Sequence, residues 1–340
     1  MSKVAVLSAG AWGTALCFPL SENPSEVWLW VRDSERAREI QASRRNDAYL
    51  PGVELPSRIQ VCSNLKHVCS GADVVFLAVP SQALREVSRS IAPILTPESV
   101  VVSAAKGLEQ DTHLRMTQVI AQEISHVAPD NIACISGPNF AIEVAMRQPT
   151  ATVIGAGSPD TGRLLQEVLI TPRLRVYTNP DVAGVELGGA LKNVIALAVG
   201  IAEGMNLGYN ARAALITRGI AEIARLGVAL RCHPLTFAGL SGMGDLVLTC
   251  TGEHSRNRKC GVALGQGRRL ADFLRETSLT VEGVSTAQVA REIGQRLNID
   301  LPVTEQVYQV LFEDLSPLEA VRALMTRTRK HEIEEVAQYK

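Results

Sequence analysis

Neither sign of charge dominates this chain, in which 34 basic residues stand against 35 acidic ones over 340 positions. Without a polybasic arm or an acidic tail, nucleic acid and anionic membrane have no electrostatic footing, and neither is expected as a partner. The seven cysteines (Cys17, Cys62, Cys69, Cys134, Cys232, Cys250 and Cys260) include no C-x-x-C pair and lie in or beside apolar runs. They read as reduced packing residues. The six histidines are scattered, with no H-E-x-x-H and no Cys/His cluster, so no metal site is expected. Apolar stretches such as Val194 to Ala202 fall short of the ~20 residues that cross a bilayer, which predicts no membrane span. Only Ser2 and Lys3 separate Met1 from the first apolar run. That leaves no room for a signal peptide, and a cytoplasmic protein is the expectation. No internal repeat or low-complexity segment stands out.

What is present begins at once. Val4 to Leu7 read as a buried strand, and Ser8-Ala9-Gly10-Ala11-Trp12-Gly13 follow as a tight turn opening a helix. Such a corner aims unpaired backbone N–H groups and the positive end of a helix dipole at an anion. A pyrophosphate is the natural occupant, and Gly10, Ala11, Trp12 and Gly13 are the candidate cofactor contacts. The run Val27 to Val31 lies at parallel β-α-β spacing. Two features oppose the pattern. Ser8 stands where G-x-G-x-x-G has its first glycine, and Pro19 predicts a short or kinked helix. Arg32 lies 19 residues after Gly13, where the adenosine ribose is read. Arginine there favours a 2′-phosphate and hence NADP, while the adjacent Asp33 keeps NAD possible.

At this length two domains are expected. Val74 to Val79, Val100 to Ser103 and Ile132 to Ile135 lack period-2 alternation, as parallel strands covered on both faces do, and Ala151 to Ile154 and Arg175 to Tyr177 add later strands. Residues 1–180 are therefore predicted to form a Rossmann-type, doubly wound α/β dinucleotide-binding domain, with ligands at the carboxyl ends of its strands. Residues 181–340 are predicted to form a helical substrate domain. Its helices are expected from Val182 to about Glu203, from Ala211 to Leu226, and near 257–275, 285–297, 303–312 and 316–326. The first of these is apolar nearly all round, the mark of a buried helix.

Lys192 is the anomaly in that helix. A lysine is rarely buried unless paired or working. Desolvation disfavours its charged form and tunes it for proton transfer, although it could also snorkel to the surface or pair with Glu186. Gly188 and Gly189 each weaken the helix by about 1 kcal/mol relative to alanine and suggest that another group approaches closely. Lys106, before Gly107, ends one strand, and Ser136-Gly137-Pro138-Asn139 ends the next, with Asn139 placed to cap the following helix. In Glu253-His254-Ser255-Arg256-Asn257-Arg258-Lys259, Ser255 looks like an N-cap, and Arg256 presents a fork suited to two phosphate oxygens. Asp245 sits in Ser241-Gly242-Met243-Gly244-Asp245-Leu246, where it could bind a substrate hydroxyl or a lysine ammonium, or merely stabilise a turn.

Taken in chain order, these segments are joined by Tyr49-Leu50-Pro51-Gly52, Ser103-Ala104-Ala105-Lys106-Gly107, Glu186-Leu187-Gly188-Gly189-Ala190-Leu191-Lys192-Asn193, the run Asn210 to Gly219, and Val281-Glu282-Gly283. The chain resembles the bacterial-type NAD(P)-dependent glycerol-3-phosphate dehydrogenases over nearly its whole length, within a group whose helical C-terminal domain resembles that of 6-phosphogluconate dehydrogenase. The resemblance implies hydride transfer between NAD(P)H and dihydroxyacetone phosphate, giving sn-glycerol 3-phosphate for phospholipid synthesis. It further implies that Lys192 is the proton donor and acceptor, and that Lys106 contacts both substrate and cofactor. Substrate contacts would come from Gly137, Asn139, Asp245, Ser255, Arg256 and Asn257, and cofactor contacts from Ala11, Trp12, Arg32, Ala141, Arg256, Thr280 and Glu282. That family usually has glycine at position 8 and serine at positions 11 and 139, where this chain has Ser8, Ala11 and Asn139. The expected partners are the small-molecule substrate and a second copy of the chain in a homodimer.

Overall fold

Apolar residues with nothing charged among them leave the core of β1 (Ser2–Leu7) no wet face. Val4 and Val6 join one hydrophobic cluster, and Ala5 and Leu7 join another on the opposite side of the sheet. The computed structural model describes residues 2–277 and 280–328. In it β1 is followed by β2 (Ser25–Trp30), β3 (Ile59–Cys62), β4 (Val74–Leu77), β5 (Val100–Ser103), β6 (Ile132–Ser136), β7 (Thr150–Ala156) and β8 (Leu174–Asn179). They form one sheet in the order β3-β2-β1-β4-β5-β6-β7-β8. Every described pairing is parallel except β6 with β7, which run antiparallel. The expected doubly wound sheet thus carries one reversed junction. The helices on it are α1 (Ala11–Glu22), α2 (Ser34–Ser43), α3 (Leu65–Cys69), α4 (Leu84–Ile91), α5 (Met116–Glu123), α6 (Ala141–Ala145) and α7 (Pro159–Leu169).

Strand order reverses between β1 and β4, and ligands of open α/β sheets bind at the carboxyl side of that switch. The Ser8–Gly13 turn lies there. Two sequence expectations need correction. β3 was not expected, because as an edge strand it buries only Ile59 and Val61 in four residues. Pro19 does not end its helix early, since α1 runs on to Glu22.

The chain divides into two units, residues up to 106 with 114–186, and 107–113 with 187 onward. Residues 329–340 of the predicted second domain lie outside the described ones. Helix α8 (Val182–Gly204) opens in the first unit and continues into the second, where α9 (Tyr209–Ala229), α10 (Pro234–Ala238), α11 (Asp245–Thr251), α12 (Arg256–Gly265), α13 (Leu270–Glu276), α14 (Glu282–Leu297), α15 (Pro302–Phe312) and α16 (Pro317–Met325) follow. The single helix expected near 257–275 is two, α12 and α13, parted at Gly267, whose φ is +87°. By length and composition α8 is apolar enough to cross a membrane, contrary to the estimate from uninterrupted runs, and all of its apolar window is buried inside the protein.

Candidate functional site

The first unit presents the end of α1. Gly10 is its N-cap in an extended conformation with no side chain capping the helix, so the first-turn N–H groups face outward for an anion. Gly13 is required by contact, since a Cβ there would lie 2.0 Å from the Ser8 carbonyl oxygen and 3.1 Å from the Ala78 Cβ. The indole Nε1 of Trp12 is buried with no hydrogen-bond partner. A glycine-tightened turn with uncapped donors fits a dinucleotide pyrophosphate.

Behind the turn, buried Asn46 donates to the Ala9 carbonyl at 2.9 Å and to Thr14 Oγ1 at 2.7 Å. Arg36 donates to Asn46 Oδ1 at 2.6 Å while its guanidinium lies 4.4 Å from the Tyr49 ring centroid. This brace had no signal in the spacing of the motif. Arg32 is exposed just past β2. Asp33 is occupied as the N-cap of α2, accepting from the Arg36 N–H at 2.7 Å.

Ser8 occupies its glycine position at a price in strain. Its φ is +103°, a region side chains rarely adopt, and its Oγ accepts a long bond of 3.4 Å from the Gly10 N–H. The hydroxyl is therefore turned back on its own loop. Relieving about 1–3 kcal/mol of backbone strain outweighs the 0.5–1 kcal/mol that glycine forfeits in chain entropy. Ser8→Gly is expected to raise the melting temperature by a few degrees and to tighten binding of a dinucleotide at the turn. Unchanged melting would show that the turn carries no strain.

At the ends of β5 and β6, Lys106 Nζ donates to the Gly137 carbonyl at 3.0 Å and to Asn139 Oδ1 at 2.8 Å. Asn139 Nδ2 donates to Thr152 Oγ1 at 3.0 Å, which donates to the Ser136 carbonyl at 2.7 Å. Asn139 does not cap the following helix as expected. The N-cap of α6 is Phe140, without a side-chain bond, and the Asn139 amide instead orients the lysine. Gly137 has φ +122°, and a Cβ on it would lie 3.2 Å from Thr152 Cα. Ala141 begins α6, half-buried. The hydroxyls of Ser103 and Ser136, at the same strand ends, are buried without partners.

In the second unit Lys192 is 5% exposed, which excludes snorkelling. Its ammonium forms an ion pair with Asp245, itself 1% exposed, and donates to Thr249 Oγ1 at 2.7 Å. The Thr249 hydroxyl donates to the Asp245 carbonyl at 2.6 Å, leaving a lone pair for the lysine. Glu186 is not its partner, for that carboxylate takes Arg115, the Thr117 N–H at 2.8 Å and the Thr117 hydroxyl at 2.6 Å. Asp245 is not in a loop either. A π-helical turn, Leu240–Gly244, precedes it, and Asp245 opens α11. Burial pushes the nearby Cys250 thiol up to about 12, so this neighbour of the pair stays uncharged at neutral pH.

Ser255 caps α12 as expected, its Oγ accepting from the Arg258 N–H at 3.2 Å. Asn257 is buried, donates to Asn193 Oδ1 at 2.8 Å, and accepts from the Gly283 N–H at 2.9 Å. That ties the start of α12 to the residue after Lys192 and to the start of α14. Exposed Arg256 donates to the carbonyl of Thr280 at 3.0 Å, and Glu282 opens α14 two residues later. Lys192, Asp245 and Asn257, far apart in sequence, are thus one constellation. Sequence reasoning missed Asn193 and Thr249, and the i,i+4 spacing of Asp245 and Thr249 on one helix face is the signal that could have found the latter.

A switch-point dinucleotide turn in one unit, and a buried lysine–carboxylate pair beside a helix N-terminus in the other, define a nicotinamide-dependent dehydrogenase. Residues 3–161 match the model for the N-terminus of NAD-dependent glycerol-3-phosphate dehydrogenase and residues 181–322 that for its C-terminus. The chain belongs to the NAD-dependent glycerol-3-phosphate dehydrogenase family. It is 49% identical to the glycerol-3-phosphate dehydrogenase [NAD(P)+] of Pelotomaculum thermopropionicum over 98% of this chain and 96% of that one. With its counterpart in Geobacter sulfurreducens the identity is 48% over 97% and 98%. The crystal structure of the glycerol-3-phosphate dehydrogenase of Coxiella burnetii superposes with a TM-score of 0.91 at 39% identity, covering 96% of this chain and 99% of that one.

Proposed function

We propose that this protein interconverts dihydroxyacetone phosphate and sn-glycerol 3-phosphate with NADP, or with NAD, as the redox partner. The observation that carries the reading is the Lys192 ammonium, buried against Asp245 and Thr249 one residue from the contact between Asn193 and Asn257. Bound nicotinamide supplies or takes the hydride at substrate C2. The chain's own residues do the rest. Lys192 stabilises the oxyanion that develops on the C2 oxygen and passes its Nζ proton to it, and the reverse reaction returns that proton to the amine. Asp245 compensates the buried charge, and together with Thr249 it fixes the ammonium. Lys106, held by the Gly137 carbonyl and Asn139, is assigned to substrate and cofactor.

Ser255, Arg256 and Asn257 at the start of α12 are assigned to the substrate phosphate, whose binding orients the carbonyl. Gly10, Ala11, Trp12 and Gly13 would hold the pyrophosphate, with Ala141, Arg256, Thr280 and Glu282 as further cofactor contacts. Because Asp33 is spent on capping α2, Arg32 is left to read the ribose, which favours the 2′-phosphate. The reading includes a cytoplasmic homodimer supplying glycerol 3-phosphate for phospholipid synthesis.

Arg256→Ala tests the phosphate assignment. Losing a charged bond worth ~1.5–3 kcal/mol is expected to raise KM for dihydroxyacetone phosphate about ten- to a hundredfold, with little change for unphosphorylated dihydroxyacetone. Equal effects on the two ketones would remove Arg256 from the phosphate site.

A further inference from the structure

Helices α8 and α12 carry glycines at matched spacing, Gly200-x-x-x-Gly204 on one and Gly261-x-x-x-Gly265 on the other. Each faces the other helix's backbone. A Cβ on Gly200 would lie 2.2 Å from the Arg258 carbonyl oxygen, and one on Gly204 would lie 2.2 Å from that of Val262. A Cβ on Gly261 would lie 2.3 Å from the Leu197 oxygen, and one on Gly265 would lie 2.2 Å from that of Ile201. No other residue type fits at these four places without parting the helices. The register is parallel and repeats every fourth residue, with 197 against 261 and 201 against 265. Asn193 against Asn257, joined at 2.8 Å, continues it one step toward both N-termini. Arg258, in the first turn of α12, reaches along the seam to the last turn of α8 and grips both carboxylate oxygens of Glu203, with Nε at 2.7 Å and Nη2 at 2.5 Å.

This register brings the N-terminus of α12 level with Lys192. A slip would be discrete, because the glycines interlock only at intervals of about one turn, roughly 5.4 Å. We infer that the α8–α12 glycine seam is a length gauge: it fixes the span between the Lys192 ammonium and the anion-binding end of α12, and so selects the number of carbons between carbonyl and phosphate. This specificity device rests on the dehydrogenase reading above.

The test compares dihydroxyacetone phosphate with its homologue bearing one extra methylene between carbonyl and phosphate, in the full-length protein. Gly200→Ala must part the helices by about 1 Å to restore ordinary contact distances. A misplacement of that size is expected to lower kcat/KM for dihydroxyacetone phosphate about a hundredfold. The longer ketone should lose less, so that the preference between the two shifts toward it by about tenfold. Glu203→Gln loosens the tie between the first turn of α12 and the last turn of α8 without adding volume, and is expected to shift the preference in the same direction by a smaller factor. It carries the test if Gly200→Ala does not fold. A preference unmoved in the folded variants, or both substrates weakened equally, overturns the gauge. No turnover of dihydroxyacetone phosphate by the unsubstituted protein overturns instead the reading on which it rests.

Discussion

Lys192→Met is expected to lower kcat for dihydroxyacetone phosphate reduction by ~10³ or more, at the upper part of the range for loss of a general acid, while NADPH binding, followed by fluorescence, changes little. The substitution also strands Asp245, a buried carboxylate 1% exposed, without its cation. Breaking a buried pair from one side destabilises by about 3–5 kcal/mol. A dead enzyme could therefore be only an unfolded one. The double variant Lys192→Met, Asp245→Asn separates the two effects, because a neutral amide beside methionine leaves no uncompensated charge. Melting temperature is expected to recover most of its loss in the double variant, and kcat to recover none of it. Recovery of turnover with recovery of stability would make Lys192 a structural residue and remove it from the mechanism.

That pairing also shows what the sequence alone could and could not disclose. A lone lysine in a helix apolar all round is visible as an anomaly, because position along a helix is local information. Its partner is not, since Asp245 lies 53 residues on and only the packing of α11 beside α8 brings it in. Ser255 was legible for the local reason that an N-cap is read from the residues that follow it. Asn139 misled by the same rule. It precedes a helix, but its amide lies within reach of Lys106 and Thr152 and serves them. Parallel strands with both faces buried announce themselves as continuous apolar runs. The edge strand β3, half wet and four residues long, does not. The glycines of α8 and α12 were present as a spacing, but their meaning depends on which backbone each one meets.

Gly188→Ala is expected to reverse the ordinary sign of a helix substitution. Alanine should stabilise a helix interior by ~1 kcal/mol over glycine, yet here its Cβ would lie 2.7 Å from the Ser241 carbonyl oxygen and 3.3 Å from the Gly242 nitrogen. The group whose close approach was expected at this glycine is the protein's own π-helical turn. That turn cannot back away freely, because Gly242 is itself pressed onto α10, where a Cβ would lie 2.1 Å from the Phe237 carbonyl oxygen. The displacement must pass along the turn to Asp245, its next residue. Gly188 lies one helical turn before Lys192 and on the same face, so both members of the ion pair are shifted together. Overpacking is expected to cost about 1–3 kcal/mol of stability, and the misplaced ammonium to lower kcat about a hundredfold. Gly208→Ala is the control, since a Cβ there meets nothing within 4 Å, and it should leave kcat and melting close to their starting values. A Gly188→Ala protein that melts higher and turns over normally would show that the π turn yields without moving Asp245. The position of that carboxylate would then depend on Lys192 and Thr249 alone.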